Sequence, residues 1–481
     1  MFFDFRAQVL WSMCLSQGER RTKNAILSKL TLLWVVFALA GILSPDAAHA
    51  LPSFAVQTDQ PCSACHVGSF GPQLKPFGRD FKLYGYTASD GKDHGVPLAV
   101  YVRNSFTNTA KTQPAGQYPE AVYGNSGNNN FGLEELSAWY AGKVNATTGA
   151  YIEGSFDGVG GQLHLDNADI RHIHEGKIFG TDYVAGITLN DAPTVSDIWN
   201  TTPVWGFPFD APKMAPTPAA SALIDGALQE AATGLGAYIM WNDWVYAEFD
   251  GYKGTSRTGL NMVGNTPVND PINGNQDAYD GIMPYWRLAV QHELVKNHYF
   301  ELGTYGIAAS VYPNDNHTGG ATDRITDTAV DATYQWLGDD KNFISAHSTF
   351  IHEHRDLTES AVINPGTNLS DNLNEFRADV SYSYDNTWTP TLQYFRTTGT
   401  SDAVEWNTST GLASPNSAGF VAELAYVPFG KVDSPALSWM AYNSRLELQY
   451  TAYTEFDGTH AHASNNNTIF LDLAIVMAPK W

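Results

Sequence analysis

From about residue 97 to the C-terminus, stretches of roughly ten residues alternate apolar and polar side chains, and this period of two restricts the chain to strands with one apolar and one polar face. In 440–452, Met440, Tyr442, Leu446, Leu448, Tyr450 and Ala452 oppose Asn443, Arg445, Glu447, Gln449 and Thr451. In 375–384, Phe376, Ala378, Val380, Tyr382 and Tyr384 oppose Glu375, Arg377, Asp379, Ser381 and Ser383; near 285–293, Trp286, Leu288 and Val290 oppose Arg287, Gln291 and Glu293. A soluble sandwich or propeller alternates in the same way, so the joins decide. Short ones fall at Asn145-Ala146, Glu175-Gly176, Asn242-Asp243, Lys296-Asn297, Gly338-Asp339-Asp340 and Asp385-Asn386. Between them lie mostly long polar segments, near 108–130, 191–231, 253–281, 312–323, 356–373, 399–417 and 454–466. Short turns at one end and long loops at the other mark an outer-membrane barrel.

The expected fold class is therefore all-β: a transmembrane barrel of about sixteen antiparallel strands over 97–481, preceded by a small N-terminal segment. The strands are predicted near 97–107, 133–143, 147–157, 163–174, 177–190, 232–241, 244–252, 284–294, 298–311, 325–336, 342–355, 374–384, 388–397, 418–428, 438–453 and 468–478. The last one carries Ile469, Leu471, Leu473, Ile475 and Met477 in alternation, and the chain closes on Trp481.

Residues 1–50 read as a cleaved export signal. Arg20, Arg21, Lys23 and Lys29 precede an apolar run from Leu30 to Leu43, and Ala48-His49-Ala50 supplies the small residues of a cleavage site. That run is shorter than the roughly 20 residues of a membrane-spanning helix, and the remainder of the chain has no such run. The mature chain is expected to begin at Leu51, with Met13 as an alternative translation start. Setting the leader aside leaves 22 basic against 47 acidic residues, a net charge near −25. Such a chain excludes nucleic acid as a partner and attracts cations.

Of the three cysteines, Cys14 lies in the leader, and both others fall in Cys62-Ser63-Ala64-Cys65-His66. Two thiols separated by two residues reach the two vinyl groups of one porphyrin, and the adjoining imidazole ligates its iron. A zinc half-site lacks its second pair of ligands here, a thioredoxin-type motif lacks its βαβ surroundings, and a lone disulfide is the remaining alternative. The expected cofactor is one covalent haem c held by Cys62, Cys65 and His66, with His66 the proximal ligand and the catalytic residue. For the distal position, no methionine lies between His66 and Met214, which leaves His94, His347 or an open site. The segment 51–96 is too small to bury a haem alone, and a barrel of this size encloses a wide lumen, so the segment is expected to plug the barrel from the periplasmic side.

Leu51-Pro52-Ser53-Phe54-Ala55, the Cys62–His66 motif and Leu74-Lys75-Pro76-Phe77-Gly78-Arg79-Asp80-Phe81-Lys82-Leu83-Tyr84-Gly85-Tyr86 together resemble the start of the fused outer-membrane cytochrome c–porins, a family that includes iron oxidases. The resemblance covers about 35 residues of the haem segment, and the barrel matches in length and loop rhythm. It implies an Fe(II):cytochrome c oxidoreductase of the outer membrane. Its electron would come from Fe(II) or another extracellular donor and pass to a periplasmic c-type cytochrome, with outer-membrane lipid around the wall. Val67-Gly68-Ser69-Phe70-Gly71-Pro72 departs from the shorter run of the iron oxidisers, which leaves the donor open. The competing expectation is a haem-containing porin that gates solute or senses redox state, or extracellular electron transfer with a donor or acceptor other than iron. Inward Glu293, Glu375, Asp379, Glu423 and Glu447 are candidate cation guides, or ordinary lumen polarity.

Overall fold

The computed structural model describes residues 51–112, 127–255, 279–313, 320–339, 341–406, 410–429 and 440–480. The expected leader, 1–50, lies outside the described residues, as do much of the outer loops near 108–130 and 253–281.

The sheet runs through β1 (Leu98–Thr109), β2 (Asn129–Asn145), β3 (Thr148–Asp157), β4 (Gln162–Ile178), β5 (Thr181–Asn190), β6 (Ala232–Trp241), β7 (Val245–Gly254), β8 (Tyr279–Asp280), β9 (Met283–Val295), β10 (His298–Val311), β11 (Asp323–Leu337), β12 (Asn342–Asp356), β13 (Ser370–Tyr384), β14 (Trp388–Gly399), β15 (Ser417–Tyr426), β16 (Met440–Glu455) and β17 (Thr468–Pro479). The two residues of β8 continue β9 along β10 across Gly281, which takes a positive φ of 69°. The wall therefore has the sixteen staves that the alternation predicts. β1 pairs antiparallel with β2 on one side and with β17 on the other, from Val100↔Met477 to Thr109↔Thr468, which closes the barrel and leaves no free edge.

Burial is inverted relative to a soluble protein. Leu235, Phe249 and Leu302 are about three-fifths exposed on the outside, whereas Arg171, Asp250, Arg287 and Asp331 are buried on the inside. An apolar exterior around a charged interior suits hydrocarbon outside and polar contents within, so this is a transmembrane β-barrel of the outer-membrane type. Part of this interior charge is paired in clusters: Arg287 with Asp197, Glu301 and Asp331, and Arg445 with Asp210, Glu423 and Glu447.

Two expectations need correction. The turn placed at Glu175-Gly176 lies at Phe179-Gly180 instead, because β4 runs on to Ile178 and these two residues take the positive φ of the turn, 53° and 83°. The segment 191–231, expected among the outer loops, folds inward. Asp197 accepts from the backbone N–H groups of Trp199, Thr201 and Thr202. Further along, three successive N–H groups meet three wall carboxylates: Ala222 donates to Glu375 (2.6 Å), Leu223 to Glu353 (2.6 Å) and Ile224 to Asp327 (2.7 Å). Buried backbone donors require acceptors, and lumen carboxylates provide them.

Candidate functional site

The residues ahead of β1 form short helices, Pro52–Thr58, Cys62–Cys65 and Pro76–Leu83, packed into the turn end of the barrel. The Cys62–Cys65 helix ends where His66 turns extended (φ −114°, ψ 143°), with the His66 N–H still donating to Cys62 O at 2.9 Å. His66 then bridges to Leu74, and Lys75 N–H donates to Cys65 O at 2.8 Å, so 66–75 forms a small loop returning to the motif. Gly68 is required in it. It has φ 71°, and a Cβ there would lie 2.6 Å from Thr389 Oγ1 at the start of β14. The departure noted after the motif is thus a loop fitted to the wall.

The next helix starts with Pro76 in its first turn and lays Gly78 against Cys65, whose carbonyl oxygen would be 2.5 Å from any Cβ. Lys75, Arg79 and Lys82 follow helical spacing and all reach inward. Lys75 Nζ donates to Ser63 O (2.8 Å) and Asn386 Oδ1 (3.1 Å), and an Arg79 NH donates to Gln335 Oε1 (2.5 Å). Lys82 Nζ donates to Val195 O (2.7 Å), Asp197 O (2.6 Å) and Asn200 Oδ1 (2.8 Å), tying the segment to the inward loop. Burial lowers the Lys75 ammonium to about 8 and that of Lys82 to about 7.

Cys65 and His66 face a half-open chamber of about 710 Å³ lined by the segment, the wall and the inward loop. Its near part is aromatic, with Phe54, Phe70, Phe81, Tyr86, Tyr101, Trp139, Tyr151, Trp205 and Phe209. His66 Nδ1 is sealed from solvent and makes no hydrogen bond of good geometry. Burial holds its imidazole down at about 4, with the Gly71 backbone pulling against that shift. The same burial pushes the Cys65 thiol up to about 12. Cys62 is wholly buried one helical turn away, and its Sγ accepts from Asn443 Nδ2 at 3.3 Å.

The far part of the chamber is acidic. Carboxylate oxygens of Glu135, Glu153 and Asp166 lie within 4.8 Å of one another. Asp166 is the extra residue of a bulge in β4, between Leu165 and Asn167, which turns it inward out of phase. His164 also lines the chamber, with Nδ1 on Glu230 at 2.9 Å and Nε2 buried without a partner.

Compared with known proteins, the chain stands apart in sequence. No family model matches it, and no curated protein does. Among solved structures it is similar to a loop-deletion mutant of OmpT, an outer membrane protein of Vibrio cholerae, at 11% identity and TM-score 0.39, covering 80% of this chain and 100% of that one. It is also similar to the outer membrane channel DcaP of Acinetobacter baumannii at 11% identity and TM-score 0.42, covering 82% and 99%. The anion-selective porin from Comamonas acidovorans stands at 12% identity and TM-score 0.41, covering 79% and 98%. The barrel assignment stands on the strand pairing and closure above.

Of the residues singled out from sequence, Cys65 and His66 line the chamber, and Cys62 is buried behind it with its sulfur on Asn443. His94 does not line it; it sits in a hollow near the start of β1 with Nε2 on Asp90 at 2.9 Å. His347 is inward on β12 but held by Asp379 (3.0 Å) and Ser345 (3.2 Å), away from the chamber wall. Glu375, Glu423 and Glu447 are engaged by the inward loop or by Arg445, Asp379 by His347, and Glu293 is exposed at a turn. Sequence reading missed the acidic trio and His164. Glu135 and Glu153 carry the inward phase of their strands, but the bulge hides the phase of Asp166.

Proposed function

We propose that this protein carries one haem c, bound through Cys62 and Cys65 with His66 on the iron, and passes electrons from an extracellular donor, Fe(II) first among them, to a periplasmic c-type cytochrome. The observation that carries the reading is a haem-attachment motif whose His66 and Cys65 line a chamber walled by aromatic rings inside a transmembrane barrel. The donor set fits the group: a neutral buried imidazole, two free thiols and a wall of aromatic rings able to contact a porphyrin. When bound, haem supplies reversible one-electron exchange, which no side chain here offers.

The chain's own residues do the rest. Phe54, Phe70, Tyr101 and Trp139 exclude water around the motif. His66 stays uncharged and available as a ligand because burial disfavours its imidazolium. Glu135, Glu153 and Asp166 bring three carboxyl groups together in the same chamber, with Arg103 on Glu135 shared among Asp210 and Asp472 as well, an oxygen-rich set suited to a cationic donor. The inward loop and the N-terminal segment occupy the lumen, which argues against free solute diffusion as the main role.

Anaerobic stopped-flow absorption of the ferric protein mixed with Fe(II) tests the reading. Rapid appearance of the reduced haem band is expected, and it is lost in His66→Ala. Reduction by dithionite but not by Fe(II) would remove iron as the donor.

A further inference from the structure

A second hollow opens at the turn end of the barrel, beside the helix that covers Cys65. That helix lays Gly78 on Cys65 and turns Pro76, Arg79 and Asp80 to a half-open space of about 340 Å³. Trp199 of the inward loop, the Asn242-Asp243 turn and the ends of β9, β10 and β11 complete its lining. We propose that this hollow binds the head of a primary alkylammonium, supplied by a free amine or by a lysine side chain of a partner protein. Short turns of such barrels face the periplasm, so the ligand enters from there.

Gln291 on β9, Glu301 on β10 and Thr333 on β11 are successive cross-strand neighbours, so their side chains stand in one row, and all three line the hollow. Gln291 is fully engaged: its Oε1 accepts from Trp199 Nε1 at 2.9 Å, and its Nε2 donates to Asp243 O at 3.1 Å. The other two are not. Glu301 is 4% exposed and Thr333 5%. Glu301 Oε1 accepts from Arg287 at 3.2 Å, whereas Glu301 Oε2 and Thr333 Oγ1 have no hydrogen-bond partner among the described residues. Two neighbouring buried oxygens of this kind cost stability until something donates to them. An ammonium carries three N–H donors on one atom and can serve both.

The surroundings favour an organic cation over a bare metal ion. Trp199, Trp244 and Tyr299 give aromatic walls along which an alkyl chain can lie, and Trp244 is about half exposed, with His292 packed against it. Asp80, Asp243 and Glu293 stand exposed around the hollow. One guanidinium, Arg79, shares the lining, and it is already engaged by Leu74 O, Gln335 Oε1 and the Tyr299 ring. The volume suits a small organic group. A quaternary ammonium has no N–H and satisfies neither oxygen.

The test uses the full chain in detergent, labelled with fluorotryptophan and checked for closure by its heat-dependent gel mobility. The Trp244 fluorine resonance is assigned through Trp244→Phe. Titration with n-butylammonium chloride is expected to shift that resonance to saturation, while tetramethylammonium chloride at the same concentrations leaves it in place. Thr333→Val, which removes one acceptor and keeps the shape, and Glu301→Gln are each expected to weaken binding about tenfold or more. Competition separates the sources. Displacement by a lysine-rich mitochondrial cytochrome c, lost once its lysines are succinylated, assigns the site to a partner's side chain; displacement by diaminobutane alone assigns it to a free amine. No saturable shift in the wild type overturns the proposal, as does tetramethylammonium binding equally well or wild-type affinity in both variants. The readout does not pass through Cys62 or Cys65, so it holds whether or not they carry haem.

Discussion

Lys75, Arg79 and Lys82 show how single residues hold the N-terminal segment in the barrel: three buried cations at helical spacing, each donating to neutral oxygens of the wall or the inward loop. Lys82→Met leaves Val195 O, Asp197 O and Asn200 without their donor, and a loss of roughly 1–3 kcal/mol in segment docking is expected, read as faster protease cleavage ahead of β1. The pH dependence has a definite sign. Burial lowers the Lys82 ammonium from 10.5 to about 7, so between those values the unfolded chain binds the extra proton. Stability rises with pH wherever the unfolded state binds more protons, so the wild-type advantage over Lys82→Met grows from pH 7 towards 10 in equilibrium unfolding. Some of this was legible in the sequence. The cysteine–histidine motif is local, and its chemistry fixes its own spacing. Asp166 and His164 were not, because a bulge shifts the inward phase by one residue without changing composition. His94 and His347 have the chemistry of an iron ligand, and the sequence does not show that the fold sets Asp90 and Asp379 beside them.

At the scale of elements, the strands were readable because the lipid face and the lumen face impose opposite polarity on successive residues; β6 and β10 fall where the alternation places them. The inward loop was not readable. A loop facing water and a loop facing a polar lumen have the same composition, and only the wall carboxylates opposite Ala222, Leu223 and Ile224 distinguish them. Replacing Glu353 and Glu375 by Gln weakens two of these charge-assisted contacts, roughly 1–3 kcal/mol each. The expected result is more frequent channel opening in planar bilayers than in the wild type. Deleting 192–230 is expected to give a sustained conductance, and an unchanged trace in both would mean that the N-terminal segment alone seals the lumen.

As a whole molecule, the barrel holds an internal chamber with Cys65 and His66 on one wall and carboxyl groups on another. The proposed function requires that Cys62 and Cys65 carry haem. The direct measurement is haem staining of the purified full chain on a denaturing gel, with the pyridine haemochrome spectrum quantified per chain, after production in cells that attach haem c. One haem is expected per chain, surviving denaturation, and absent when Cys62 and Cys65 are both replaced by Ala. A chain that migrates as a closed barrel with unmodified thiols and no covalent haem would contradict the account.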